Sequence, residues 1–308
     1  MARVRGNLAV HGDMGWRMRF LVVGMCLAWF GACQPQRPQP VPSEPASEGD
    51  PTTDPGRSND ALVAALAKLR SADVDTQAAG LAEAADACLA ESEPPFDRTL
   101  AALLSIMDPP TGEMPAHALW APGQDALGRL ALARANRKGW RVAWPADLAG
   151  LADHDLLRTA NRLLWYGVSI YDGPDTLNAG LEAATPGQRA LFSIVWLESE
   201  VNNGGFDQLF WNSTGVVWAE ALRGFELIGA TRHLELLRKA AAKMPGGAVP
   251  GDQSERQEVV DGLPEGSFGE LTDAFFELGD SPDHAPTRLL AAYIRANPAE
   301  FFEGPTSR

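Results

Sequence analysis

The sequence predicts an all-α protein, and three observations lead there. From Asn59 onward apolar residues recur at three- and four-residue spacing, and no long stretch alternates with period two. Thr185-Pro186-Gly187-Gln188 has the form of a capping box with proline at the first helical position. Gly204-Gly205 and Gly246-Gly247 stand just past apolar-periodic runs, where a chain leaving a helix needs positive φ.

The elements follow from the N-terminus. Arg17 and Arg19 precede an eleven-residue apolar run, Phe20 to Phe30, which is shorter than the ~20 residues a bilayer span requires. It fits the core of a secretory signal. Gly31-Ala32-Cys33 follows directly. Small-small-Cys after such a run resembles the bacterial lipoprotein signal, in which the cysteine is freed by cleavage and acylated; Phe30 departs from the usual Leu. That resemblance implies a signal peptide over 1–32 and lipid attachment at Cys33, with initiation at Met1, Met14 or Met18. Gln34, by similarity to Gram-negative lipoproteins, implies the outer membrane, facing the periplasm. Residues 33–57 are rich in Pro, Ser and acids and read as a solvated tether, since they cannot bury enough surface to offset their ordering entropy.

Helical runs are predicted over 59–70, 75–91, 97–106, 123–136, 153–171, 186–202, 216–228, 231–243, 254–262, 268–279 and 285–296. Ser254 to Gln257 repeats the capping-box pattern. Two domains are expected, a helical one over 58–148 and another over 152–304. LVAAL at 62–66 and LAALL at 100–104 suggest a repeat in the HEAT-like range, against the alternative of an ordinary small bundle.

Charge and composition exclude several function classes. The formal net charge is −14, which opposes sequence-independent nucleic-acid binding and docking of a basic patch on anionic lipid. Five histidines include no pair at H-x-x-x-H spacing, and the three cysteines cannot build a disulfide scaffold. No nucleophile elbow, phosphate loop or dinucleotide fingerprint is present. The expectation is therefore no metal, no cofactor and no catalysis. Glu198, Asn202, Asp207 and Gln208 could form a polar site, with an internal hydrogen-bond network as the plainer reading.

At 191–215 the chain reads LFSIVWLESEVNNGGFDQLFWNSTG. Val201, Asn203, Gly204, Gly205, Phe206, Gln208, Phe210, Asn212, Ser213 and Gly215 match the core motif of the bacterial DNA-mimic (DMP-type) protein family, which this region resembles. The resemblance continues through FELIGA at 225–230, MPGG at 244–247, FFELGD at 275–280 and YIRANPAEFF at 293–302, so it spans about 153–303. It implies a helical, acidic fold that presents carboxylates to the nucleic-acid site of a DNA-binding protein. The motif residues themselves read as structural: glycines to turn the chain, aromatics to fill the core, amides to satisfy backbone groups.

Residues 252–283 hold ten acids and one base, Arg256. Phe268, Leu271, Phe275 and Leu278 mark a buried stripe, and Glu270, Asp273, Glu277 and Asp280 repeat its 3-4-3 spacing about 200° away, on the opposite helix face. Carboxylates so placed stand about 5 Å apart along the axis, against ~3.4 Å per phosphate in one DNA strand. Imitating a duplex therefore requires a second row. The leading expectation is a lipid-anchored, non-catalytic binding or assembly module of the cell envelope. It would have the membrane and a protein partner or second copy as its contacts and would not bind nucleic acid directly. The alternatives are an intracellular DNA mimic acting through the acidic face and an envelope enzyme using the Glu198–Gln208 cluster.

Overall fold

The computed structural model describes residues 55–89, 93–108 and 115–304; the signal-like segment, Cys33 and the Pro-rich stretch to residue 54 lie outside them. The described residues form twelve helices: α1 (Pro55–Lys68), α2 (Val74–Leu89), α3 (Glu93–Met107), α4 (Trp120–Lys138), α5 (Asp153–Gly167), α6 (Gly173–Gly180), α7 (Pro186–Trp211), α8 (Trp218–Leu227), α9 (Thr231–Ala241), α10 (Gln253–Asp261), α11 (Gly269–Gly279) and α12 (Pro286–Ala296). No strand occurs among the described residues, and the one extended pairing is an isolated bridge between Val142 and Phe302. The all-α class is the one the spacing predicts.

Helix α7 is the axis of the C-terminal half. Its apolar residues Leu191, Phe192, Ile194, Leu197 and Val201 are buried, and α5, α8, α10, α11 and α12 all pack against it. In the N-terminal half α1 packs on α2, α2 and α3 pack on α4, and α4 carries the assembly onto α5. The apolar core runs unbroken from Leu62 to Phe302. Residues 58–148 and 152–304 are thus stitched together. The Trp140 indole N–H donates to the Gly180 carbonyl at 3.1 Å. Val142 N–H donates to Phe301 O at 3.0 Å, and Glu303 N–H to Val142 O at 2.8 Å. Arg134, 5 % exposed, pairs with Glu303 and also donates to the carbonyls of Gly139 and Arg141.

Several boundaries differ from expectation for local reasons. Helix α1 begins at Pro55, inside the stretch assigned to the tether. Helix α5 stops at Gly167 because β-branched Val168 turns extended (φ −107°, ψ 120°); a Cβ on Gly167 would lie 2.6 Å from the Trp140 ring. The chain then turns, with the Ser169 hydroxyl donating to Asp172 at 2.7 Å, and enters α6, a helix the sequence did not announce. Eight residues with Leu177 as their buried anchor are too few to print a periodicity. Helix α10 is capped by Asp252 rather than Ser254: Asp252 is extended (φ −73°, ψ 139°) and its carboxylate accepts from Glu255 N–H at 3.1 Å. Ser254 already lies inside that helix.

The expected cap at Thr185 is present, and a distant residue reinforces it. Gln188 N–H donates to Thr185 Oγ1 at 3.2 Å, and Thr185 N–H to Gln188 Oε1 at 3.1 Å. The Glu300 carboxylate accepts from Gly187 N–H at 2.7 Å, placing a negative charge at the positive end of α7. Tyr293 O–H donates to the other Glu300 oxygen at 2.7 Å, and burial first, then this bond, pushes the phenol up to about 12. Replacing Glu300 by Ala removes the charged acceptor from the first turn. The expected loss is about 1–2 kcal/mol in urea denaturation, with Glu300→Gln losing less because its amide oxygen still accepts.

Candidate functional site

The motif region is built on a break in a long helix. Within α7, Gly204 (φ −152°, ψ 23°) and Gly205 (φ 75°, ψ −172°) leave helical geometry, so the predicted stop after Asn202 becomes a kink and the helix resumes to Trp211. Gly205 occupies a conformation open essentially to glycine, and a Cβ there would meet Thr272 Oγ1 at 2.9 Å. The freed Phe206 N–H donates to that same hydroxyl at 3.2 Å, which ties α11 to the break. The Phe206 ring packs edge-on to Phe275 at 5.7 Å and against Phe268 and Phe210.

Two ions are buried on either side of Asn212. Glu200, fully buried, accepts from Gln208 Nε2 at 2.6 Å, from the Asn212 side-chain amide, and from Thr214 Oγ1 at 2.9 Å. Arg256 on α10 is also fully buried and meets backbone carbonyls rather than a carboxylate. Its Nε donates to Phe210 O at 3.2 Å, Nη1 to Gly251 O at 2.6 Å and Pro250 O at 3.2 Å, and Nη2 to Asn212 O at 3.0 Å. Gln253 and Gln257, also on α10, donate to Trp211 O at 3.1 and 2.9 Å. The carbonyls that a helix leaves orphaned at its C-terminus are thus taken by side chains of α10. Burial draws the guanidinium below its ordinary value, with Asp252 opposing the shift. Gly215 is required by proximity, since a Cβ would lie 2.5 Å from Arg256 Nε.

A family model described as "DMP19-like protein" matches residues 182–297. This part of the chain is a DMP19-like domain. No curated protein and no solved structure matches the chain.

The DMP19-like domain opens just before the Thr185 cap and closes at the end of α12, so it holds the broken helix, both buried ions and the acidic segment. It omits α5, α6 and the terminal strap after Asn297, which the sequence resemblance over 153–303 took in. Within it Val201, Phe206 and Phe210 are buried in the core, Gln208 and Asn212 serve Glu200, and the carbonyls of Asn212 and Ser213 face Arg256. Asn203 is half-buried beside the break.

The suggested cluster Glu198–Asn202–Asp207–Gln208 does not assemble. Asn202 and Asp207 are exposed, and Gln208 turns to Glu200. Glu198 is half-buried on another face of α7, and burial pushes its carboxyl up to about 8. The acid that organises the region is Glu200, fully buried three residues after Leu197.

On the outer surface, Glu270, Asp273, Glu277 and Asp280 are all exposed along α11, while Phe268 and Phe275 are buried. The DMP19-like domain also supplies a second row that the spacing alone did not reveal. Asp252, Glu255, Glu258 and Asp261 are exposed on and at the start of α10. Glu265 and Asp283 are exposed as well, so all ten acids of 252–283 face solvent, whereas the segment's single base is Arg256, sealed inside. On the other flank, α9 presents exposed Arg232, Arg238 and Lys239, with Lys243 just beyond. Lys239 and Lys243 share an open cleft of ≈ 570 Å³ with Glu265 and Glu270. The negative surface thus has a sharp positive border.

Arg256→Met leaves the carbonyls of Phe210, Pro250, Gly251 and Asn212 without their buried donor. Thermal unfolding should reveal a loss of about 3 kcal/mol or more, because each buried unsatisfied group costs about 1–3 kcal/mol.

Proposed function

We propose that the DMP19-like domain is a non-catalytic DNA mimic whose α10–α11 surface occupies the cationic nucleic-acid groove of a protein partner. The observation that carries this reading is the sorting of charge over 252–283: ten exposed acids, and the one base consumed internally by backbone carbonyls. A merely soluble face would tolerate interspersed lysines, whereas a surface imitating phosphates excludes them. The row on α10 supplies the additional charge that the α11 row, at about 5 Å spacing, lacks. Both rows are held by the same stretch of α7, through Arg256 and through Thr272, so they form one rigid array. The family description of residues 182–297 agrees with the reading.

The test compares immobilised wild type with the variant Glu270→Gln, Asp273→Asn, Glu277→Gln, Asp280→Asn, at matched thermal stability. Wild type should retain DNA-binding proteins from a host lysate, and duplex DNA should elute them; the variant should retain them at least tenfold more weakly. Proteins retained equally by both, and not displaced by DNA, overturn the reading.

A second reading, export and anchoring, is favoured by Arg17, Arg19, the apolar run and Gly31-Ala32-Cys33. Under it the same acidic surface meets a basic protein of the cell envelope. Radiolabelled palmitate should enter the wild type and not Cys33→Ala. Absence of label from wild type, with the full-length chain in the soluble cell interior, removes the anchor and leaves the mimic inside the cell.

A further inference from the structure

Beneath the acidic helix lies a histidine that nothing described so far employs. His233 on α9 is fully buried, and neither ring nitrogen has a hydrogen-bond partner. Its ring stacks parallel on Phe225 of α8 at 5.4 Å and meets Phe275 of α11 edge-on at 5.1 Å. Phe275 is the residue of α11 that is buried within the helix itself, while Leu271, Phe276 and Leu278 are half-buried. The packing of α11 on α9 therefore runs in part through the His233 ring, beside the contacts of Thr272 and Phe275 with Phe206 of α7. Burying a polar ring with both nitrogens unanswered is costly, and an alkyl or phenyl ring of similar size would avoid the cost.

The charged groups around the ring offer it no relief. Glu220, Arg223 and Glu226 on α8, Arg232, Glu235, Arg238 and Lys239 on α9, and Glu270, Asp273, Glu277 and Asp280 on α11 leave both nitrogens without a bond. Glu220 is engaged with Arg223 at 2.5 Å. The group whose charge bears on His233 is His284, in the turn before α12, and it opposes protonation.

We propose that His233 is a proton-operated release for α11: an imidazolium formed between Phe225 and Phe275 has no partner in the packed state, so protonation favours a state in which α11 and its carboxylate row detach. The device works in one direction. Burial first, then His284, holds the imidazole down to about 4, against an ordinary 6.5. The packed state is therefore fully favoured above pH 6.5 and loses ground as pH falls from there towards 4. Acidification would withdraw the mimic surface. That consequence rests on the proposed function above, whereas the detachment is measured without any partner, so each can fail alone.

Amide hydrogen exchange of the full chain at pH 7.5 and pH 5.0, corrected for intrinsic rates, reads the opening of α11 directly. The opening constant should rise about thirtyfold in wild type across that interval and stay level in His233→Phe, which keeps a ring between Phe225 and Phe275. A flat wild-type profile, or a parallel rise in the variant, overturns the proposal. Should His233→Phe not fold, the ring-proton shifts of His233 in wild type decide: they should titrate together with the loss of α11 protection. Titration near 6.5 with α11 still protected overturns it as well.

Discussion

The bend in α7 depends on two ions that sit inside the protein without forming a pair. A helix broken at Gly204–Gly205 must find new partners for its backbone and must hold its second half at a fixed angle. Glu200 does this from within by gathering Gln208, Asn212 and Thr214 across the bend. Arg256 does it from outside, taking carbonyls from the end of α7 and from the loop before α10. Asn212 belongs to both sets, giving its amide to the acid and its carbonyl to the base. Buried charges are tolerated only when their hydrogen-bonding capacity is met, and here each is met by neutral groups.

The same arrangement governs what reaches the surface. Because Arg256 points inward from the middle of α10, the remaining positions on that helix are free to be acidic, and no cation dilutes them. Thr272 of α11 holds the bend, and the exposed side chains of that helix are carboxylates. The motif region of α7 thus sets the relative placement of two charged rows. The cations of α9 mark where that surface ends.

Much of the fold was legible in the residues. Periodicity located eleven of the helices, and Thr185-Pro186-Gly187-Gln188 announced its cap, because these are local signals that need no knowledge of the rest of the chain. Helix α6 was silent, since eight residues with Leu177 as anchor carry too little pattern. The continuation of α7 to Trp211 was hidden because a glycine pair reads as a stop, and only Thr272, sixty-seven residues beyond Gly205, turns it into a bend. In the site the acidic row of α11 was visible at once. The role of Arg256 was not: a lone base among ten acids looks like a solvent-facing counterion until the carbonyls around it are seen. Glu198 and Glu200 are a related case, since sequence spacing tells which residues share a face but not which face is inside.

The C-terminal strap has a consequence for how the molecule is made. Glu300 completes the start of α7, Phe301 and Phe302 fill the core, and Glu303 answers Arg134 near the end of α4. A ribosome delivers these residues only after every helix they close. The early helices must therefore emerge with Arg134 lacking Glu303 and with the first turn of α7 short of an acceptor, and the nascent chain closes this part of its core only once the strap has followed α12.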